Sequence, residues 1–196
     1  DDAQTRLRNN DTEGAAQALG SFKDVSSGSL LSKLEDIAVS ATDFMAQAIK
    51  EPMAYIRPFL REGTLTMVYG PKGVGKSWLT YALALSLTRK RFDDIEIGPW
   101  SVRNPAGVLI LDGEMHPYEM QYRLKTLSGP LGEMDPENPL VIISAIQLGK
   151  RHGCEPDLTD KEWRNVVTSY LERNPHLKVL VLDNLSSLAQ TEDDNS

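Results

Sequence analysis

The stretch Gly70-Pro71-Lys72-Gly73-Val74-Gly75-Lys76-Ser77 fits the pattern G-x-x-x-x-G-K-[ST] at every position, and it follows an apolar run, Leu65-Thr66-Met67-Val68-Tyr69, that reads as a strand. A strand, a glycine-rich loop and a helix in that order make a phosphate loop, the cradle of a nucleoside triphosphate. Gly70, Gly73 and Gly75 permit backbone conformations that a side chain would forbid, so successive N–H groups can turn inward around the α- and β-phosphates. Lys76 brings a point charge to the β- and γ-phosphates. Ser77 offers a hydroxyl to Mg²⁺ and opens a helix, Trp78 to Thr88, whose N-terminal dipole favours the anion. The binding stretch is thus Gly70, Pro71, Lys72, Gly73, Val74, Gly75, Lys76, Ser77 and Trp78, with ATP and Mg²⁺ as the expected cofactors. Lys72 either faces solvent or steers ATP. Arg89, Lys90 and Arg91 crowd the helix end, where they complement the C-terminal dipole rather than contact nucleic acid.

Downstream, the chain alternates in the manner of a parallel sheet. Gly107 to Asp112, Leu140 to Ser144 and Lys178 to Asp183 read as continuous apolar strands. Between them, Pro117 to Leu127 carries Met120, Leu124 and Leu127 on one helical face, and Asp160 to Arg173 carries Trp163, Val166, Val167, Tyr170 and Leu171. Apolar strands separated by amphipathic helices predict an α/β fold, a mostly parallel sheet with helices on both faces. Upstream, residues 1 to about 28 are polar, lack a sustained period and read as a flexible arm or linker. Leu31, Leu34, Ile37, Ala38 and Ala41 then recur at helical spacing. Pro52 and Pro58 bracket Ala54-Tyr55-Ile56, an expected edge strand, and Arg61-Glu62-Gly63 is a turn into the first core strand. The expected division is an arm with a short helix over residues 1–41 and the core over residues 42–196.

Composition narrows the partners. The chain has 196 residues, 40% of them hydrophobic and 25% charged, with net charge −7 and pI near 5.0. This suits one globular core with an extension and argues against a broadly basic DNA-coating surface. The single cysteine, Cys154, has no internal disulfide partner, no apolar stretch reaches the length of a membrane span, and the first thirty residues do not resemble a signal peptide. A cytoplasmic protein without a membrane partner is expected. His152 and Cys154 are too few ligands for zinc.

In an open parallel sheet, ligands lie beyond the carboxyl ends of the strands, so acids at those ends are the candidates for chemistry. Asp183 closes an apolar strand in the form of a Walker B acid, placed to hold Mg²⁺ with Ser77. Asp112-Gly113-Glu114-Met115 follows another strand, and Glu114 is the candidate general base that orients or deprotonates the attacking water. Asp112 competes for that role, or else caps the turn. Asn184 either reaches toward the γ-phosphate or water, or caps the next turn. His116 is read as an exposed helix start, Tyr55 as a core residue, and Tyr55 with Arg57 alternatively as flanking the base.

Phe59-Leu60-Arg61-Glu62-Gly63 leading into the phosphate loop, then Val108 to Met115 with Arg123-Leu124 downstream, Pro156 to Asp160, Leu182-Asp183-Asn184-Leu185-Ser186-Ser187-Leu188 and the acidic Glu192 to Asn195 resemble the RepA-like hexameric helicase ATPases, an AAA_25-type branch of the RecA superfamily. The resemblance covers about residues 42 to 196. It implies a RecA-like core in which Lys76 and Ser77 hold phosphate and Mg²⁺, Glu114 is the catalytic base and Asp183 the Walker B acid. It also implies ATPase work in DNA replication in plasmids, phages or bacteria, with subunits in a ring, typically a hexamer, acting on single-stranded DNA with ATP between subunits. In the family the core continues with strands that carry a polar sensor, DNA-facing loops and a trans-acting arginine. The sequence ends at Ser196, so a C-terminally incomplete core is expected. Two other readings are a nucleotide-binding or assembly module without turnover of its own, and a small P-loop kinase; against the kinase, no Arg-rich lid follows residue 117.

Overall fold

The computed structural model describes residues 30–90 and 95–189. The expected N-terminal arm, Arg91 and the acidic segment Glu192 to Asn195 lie outside the described residues. The chain divides into two compact units at Lys50 and Glu51. In the first, the expected helix is split into α1, residues 30–37, and α2, Ala41–Ala46. Ser40 explains the restart, because its hydroxyl accepts the Asp43 N–H at 3.1 Å and so caps a new helix.

The second unit contains two sheets. An antiparallel sheet has the order β2-β1-β4-β3, built from β1 (Ala54–Arg57), β2 (Leu60–Arg61), β3 (Glu96–Ile97) and β4 (Trp100–Val102). The strand expected at an edge is therefore interior: β1 pairs with β2 on one side and β4 on the other. Tyr55 and Ile56 are accordingly buried.

The parallel sheet has the order β6-β5-β7. Its central strand β5 (Gly107–Asp112) is buried along its whole length, between β6 (Leu140–Ser144) and β7 (Leu177–Asp183). That position is why β5 reads as an unbroken apolar run. Helix α3 (Lys76–Leu87) buries Tyr81, Ala84 and Leu87 in a core shared with Val108 and Ile110 of β5 and Val179 of β7. Helix α4 (Pro117–Leu131) runs one turn beyond the expected Leu127 and stops at Gly132, whose φ of 77° lies in the left-handed region. Helices α5 (Ala145–His152), α6 (Lys161–Arg173) and α7 (Leu185–Leu188) complete the described unit. The face expected to cover the sheet from α6 is only partly covered: Val166 and Tyr170 are exposed, and Trp163, Val167 and Leu171 are half-buried.

One expectation fails. Leu65 to Tyr69 is not a strand, pairs with neither sheet and makes no backbone–backbone hydrogen bond to another described residue. Leu65 is 94% and Tyr69 87% exposed. The run has the composition of a strand, but a strand also needs a neighbour to receive its N–H and C=O groups, and none of the described strands pairs with it.

Candidate nucleotide site

The phosphate loop enters α3 through Gly75, the N-cap, at φ 93°, and Gly73 sits at φ 86°. Both conformations favour glycine, so these two positions are set by the backbone rather than by contact. The Lys76 ammonium donates to the carbonyls of Gly70 at 2.8 Å and Pro71 at 2.9 Å, which holds its charge over the loop. The hydroxyl of the next residue, Ser77, lies close enough to Asp183, at the end of β7, to help hold its carboxylate in the charged form. The two residues expected to hold Mg²⁺ thus lie close together in the lining of one cavity, one from the loop and one from the sheet.

Asp183 stands opposite Asp112 in the parallel register of β7 and β5. Its Oδ2 is buried without a hydrogen-bond partner. Burial is the main cause that raises its pKa; the Ser77 hydroxyl opposes the rise, Asp112 adds to it, Arg123 opposes and Glu114 adds. An unpartnered carboxylate oxygen beside a hydroxyl is a hard-oxygen donor set that fits Mg²⁺. Among the described residues no group of three or more His, Cys, Asp or Glu side chains forms a metal cage. That also suits Mg²⁺, which keeps several waters and takes its remaining ligands from phosphate. Ser77 and Asp183 would hold the ion, which would neutralise phosphate charge.

The two acids after β5 do different things. Asp112 is 2% exposed; its Oδ1 accepts the N–H groups of Glu114 at 3.0 Å and Met115 at 2.6 Å, and its Oδ2 accepts the Tyr81 hydroxyl at 3.2 Å. Its Oδ1 holds the turn, the capping alternative left open by the sequence, and its Oδ2 is taken by α3. Burial, and secondarily Asp112, pushes the Tyr81 phenol far above its usual range, so Tyr81 stays a donor. Glu114, by contrast, is exposed, and its Oε2 accepts the Asn184 side-chain amide at 2.7 Å. Of the two acids, Glu114 is the one open to solvent.

Gly113 lets this turn lie against α7. Its N–H donates to the Asp183 carbonyl at 2.8 Å, and a Cβ there would overlap Ser187 Oγ and stand 2.8 Å from Leu188 Cγ. Trp78 is half-buried; the Arg123 guanidinium lies 5.3 Å from its ring centroid and the Tyr122 ring meets it edge-on at 6.2 Å. Arg123 Nε is buried without a hydrogen-bond partner. Tyr81 is a polar group of the site that motif reading missed, and Arg123, quoted in the family pattern, carried no assigned role there. Spacing carries a signal for both: Tyr81 is one helical turn beyond Ser77, and Arg123 is three residues beyond the buried Met120.

A cavity of about 1460 Å³ connects these groups, with Lys76, Ser77, Glu114, Arg123 and Asp183 in its lining and residues 64–70 along another part of it. Pro71, Lys72 and Val74 are exposed on the loop. His116 caps α4 by accepting the Tyr118 N–H at 3.2 Å, Tyr55 is a core residue, and Arg57 is exposed. At the far end of α3, Arg89 Nε donates to the Leu85 carbonyl at 3.1 Å, as dipole complementation requires, and Lys90 pairs with Glu133 at 2.9 Å.

A glycine loop at a helix N-terminus, with carboxylates on the ends of adjoining parallel strands, defines the phosphate-loop NTPase class. Within that class, residues 31–196 match the family described as AAA domain, and the chain belongs to that family of nucleotide-binding ATPases. No significant match to a curated protein or to a solved structure was found. No helix among the described residues is long and apolar enough to cross a membrane.

Proposed function

We propose that this chain is the Mg-ATP-hydrolysing core of a RepA-like replicative helicase, which works as a ring, a hexamer, on single-stranded DNA. The observation that carries the hydrolytic part is the convergence of Ser77, Asp183 and Glu114, drawn from three elements, on one cavity. In this reading the loop N–H groups and Lys76 hold the phosphates. Glu114 accepts a proton from water as its oxygen bonds to the γ-phosphorus, and the bond from that phosphorus to the bridging oxygen breaks to leave ADP and phosphate. The helicase part is supported by the order of motifs, phosphate loop, Asp112-Gly113-Glu114-Met115, then Leu182-Asp183-Asn184-Leu185. With net charge −7, DNA contact on this chain would be confined to a local basic strip.

The test is phosphate release with and without single-stranded DNA, beside sizing in ATP and Mg²⁺. The proposal expects DNA-stimulated hydrolysis in an oligomer, reduced roughly 10²–10⁴-fold by Glu114→Gln. Phosphate transferred to a small acceptor instead of water would overturn it. A second reading, a nucleotide-binding or assembly module without turnover of its own, is favoured by the unpaired residues 65–69, which leave the phosphate loop without a sheet strand behind it. Tight ATP binding with no turnover in any oligomer would select that reading.

A further inference from the structure

We propose that Asn184 is a positioning residue that fixes the Glu114 carboxylate for catalysis; this rests on the hydrolytic reading of the site. Glu114 lies on an exposed turn, and among the described residues its carboxylate takes one hydrogen bond, from Asn184 Nδ2 at 2.7 Å, across 70 positions of sequence. The amide is oriented by its other end. Asn184 Oδ1 accepts the Ser186 N–H at 3.0 Å and the Ser186 hydroxyl at 2.6 Å. A backbone N–H can only donate, so the oxygen end must face Ser186 and the NH₂ end must face Glu114. The residue itself is anchored: its carbonyl accepts the Ser187 N–H at 3.2 Å and the Ser187 hydroxyl at 2.9 Å.

Asn184 is thus a fixed arm on the β7 side that holds a flexible base on the β5 side. The hydrogen bond occupies Oε2 and leaves Oε1 to receive a proton. A glutamate on a surface turn otherwise samples many rotamers, and a base displaced by about 1 Å loses roughly 10²-fold in rate. The same arm ties the base to the residue after Asp183, so the acid that would hold Mg²⁺ and the base move together.

Asn184→Ser separates this role from capping. Serine is an equally good N-cap and is neutral, but its hydroxyl is too short to reach Glu114. The expected result is a kcat lowered roughly 10–100-fold, with the Kd for Mg-ATP and the thermal midpoint unchanged. In a Glu114→Ala background the same substitution should cost nothing further, because no carboxylate remains to be held. Wild-type kcat in Asn184→Ser, or a loss that adds in full to that of Glu114→Ala, would overturn the proposal. A measurement independent of turnover keeps its failure distinct from that of the ATPase reading: the Asn184 side-chain amide resonances of the nucleotide-free protein should move on Glu114→Ala. Resonances that stay in place would refute the positioning role even if the wild type hydrolyses no ATP.

Discussion

Asp183 keeps one carboxylate oxygen buried and unsatisfied, an arrangement that folding alone does not favour. A carboxyl whose pKa is raised by the fold is destabilising in its charged form. The penalty is present above the folded pKa and disappears as pH falls through it toward the unfolded value. Asp183→Asn should therefore raise the Tm of the nucleotide-free protein by roughly 2–4 °C, the shift that about 1 kcal/mol gives at this size, and should abolish Mg²⁺-dependent nucleotide binding; calorimetry with and without Mg-ATP reads both. Lys76→Ala should weaken ATP binding roughly 100-fold or more, the loss of charge-assisted contacts to phosphate, as measured by titration. Residues of this kind were legible in the sequence because a phosphate loop and an acid-ended strand are local patterns. The roles of Arg123 and Tyr81 were not, although Arg123 stands in the family pattern, because both side chains reach the site through the packing of α4 and α3.

Among the elements, α7 is held against the β5 turn by the absence of a side chain at Gly113. Gly113→Ala would drive a methyl into Ser187 and into Leu188, which is 0% exposed. It should cost about 1–3 kcal/mol and lower hydrolysis as well, since Asn184 is the N-cap of α7; thermal melts and phosphate release check the two together. The opposite end of α3 is stitched to the loop after α4. Arg89, 2% exposed, donates to the carbonyls of Leu85 and Gly132, and the Asp135 N–H donates to the Thr88 carbonyl at 2.7 Å. Arg89→Ala should destabilise by about 2–4 kcal/mol, through a cavity and two abandoned carbonyls, seen as a lower denaturation midpoint. The long apolar strands and α6 could be read in advance because each repeats its pattern over several residues. β3 and β4 span too few residues to show a period. α5 went unread because Ser144, the last residue of β6, is also its N-cap, leaving no loop to announce it.

At the scale of the molecule, β7 is an edge strand of the parallel sheet, and Leu65, Met67 and Tyr69 are bare to solvent. Unpaired edges and clustered apolar groups invite association and proteolysis. Limited chymotrypsin digestion should cut first at Tyr69 or nearby, while β5 survives; an initial cut within β5 would contradict the structure. The parallel register adds a different constraint. Leu111 stands opposite Leu182 and Asp112 opposite Asp183 in the parallel register, and side chains return to the same face of a strand only every second residue, about 6.6 Å along it. The sheet therefore sets the separation of its terminal acids in coarse steps, like teeth on a rack. An insertion in β5 cannot adjust the reach of Glu114 by a fraction of an ångström; it can only skip a tooth. Fine adjustment is left to the few atoms outside the ladder, the turn clasped by Asp112 and the amide of Asn184, where small changes in sequence would tune rate without disturbing the fold.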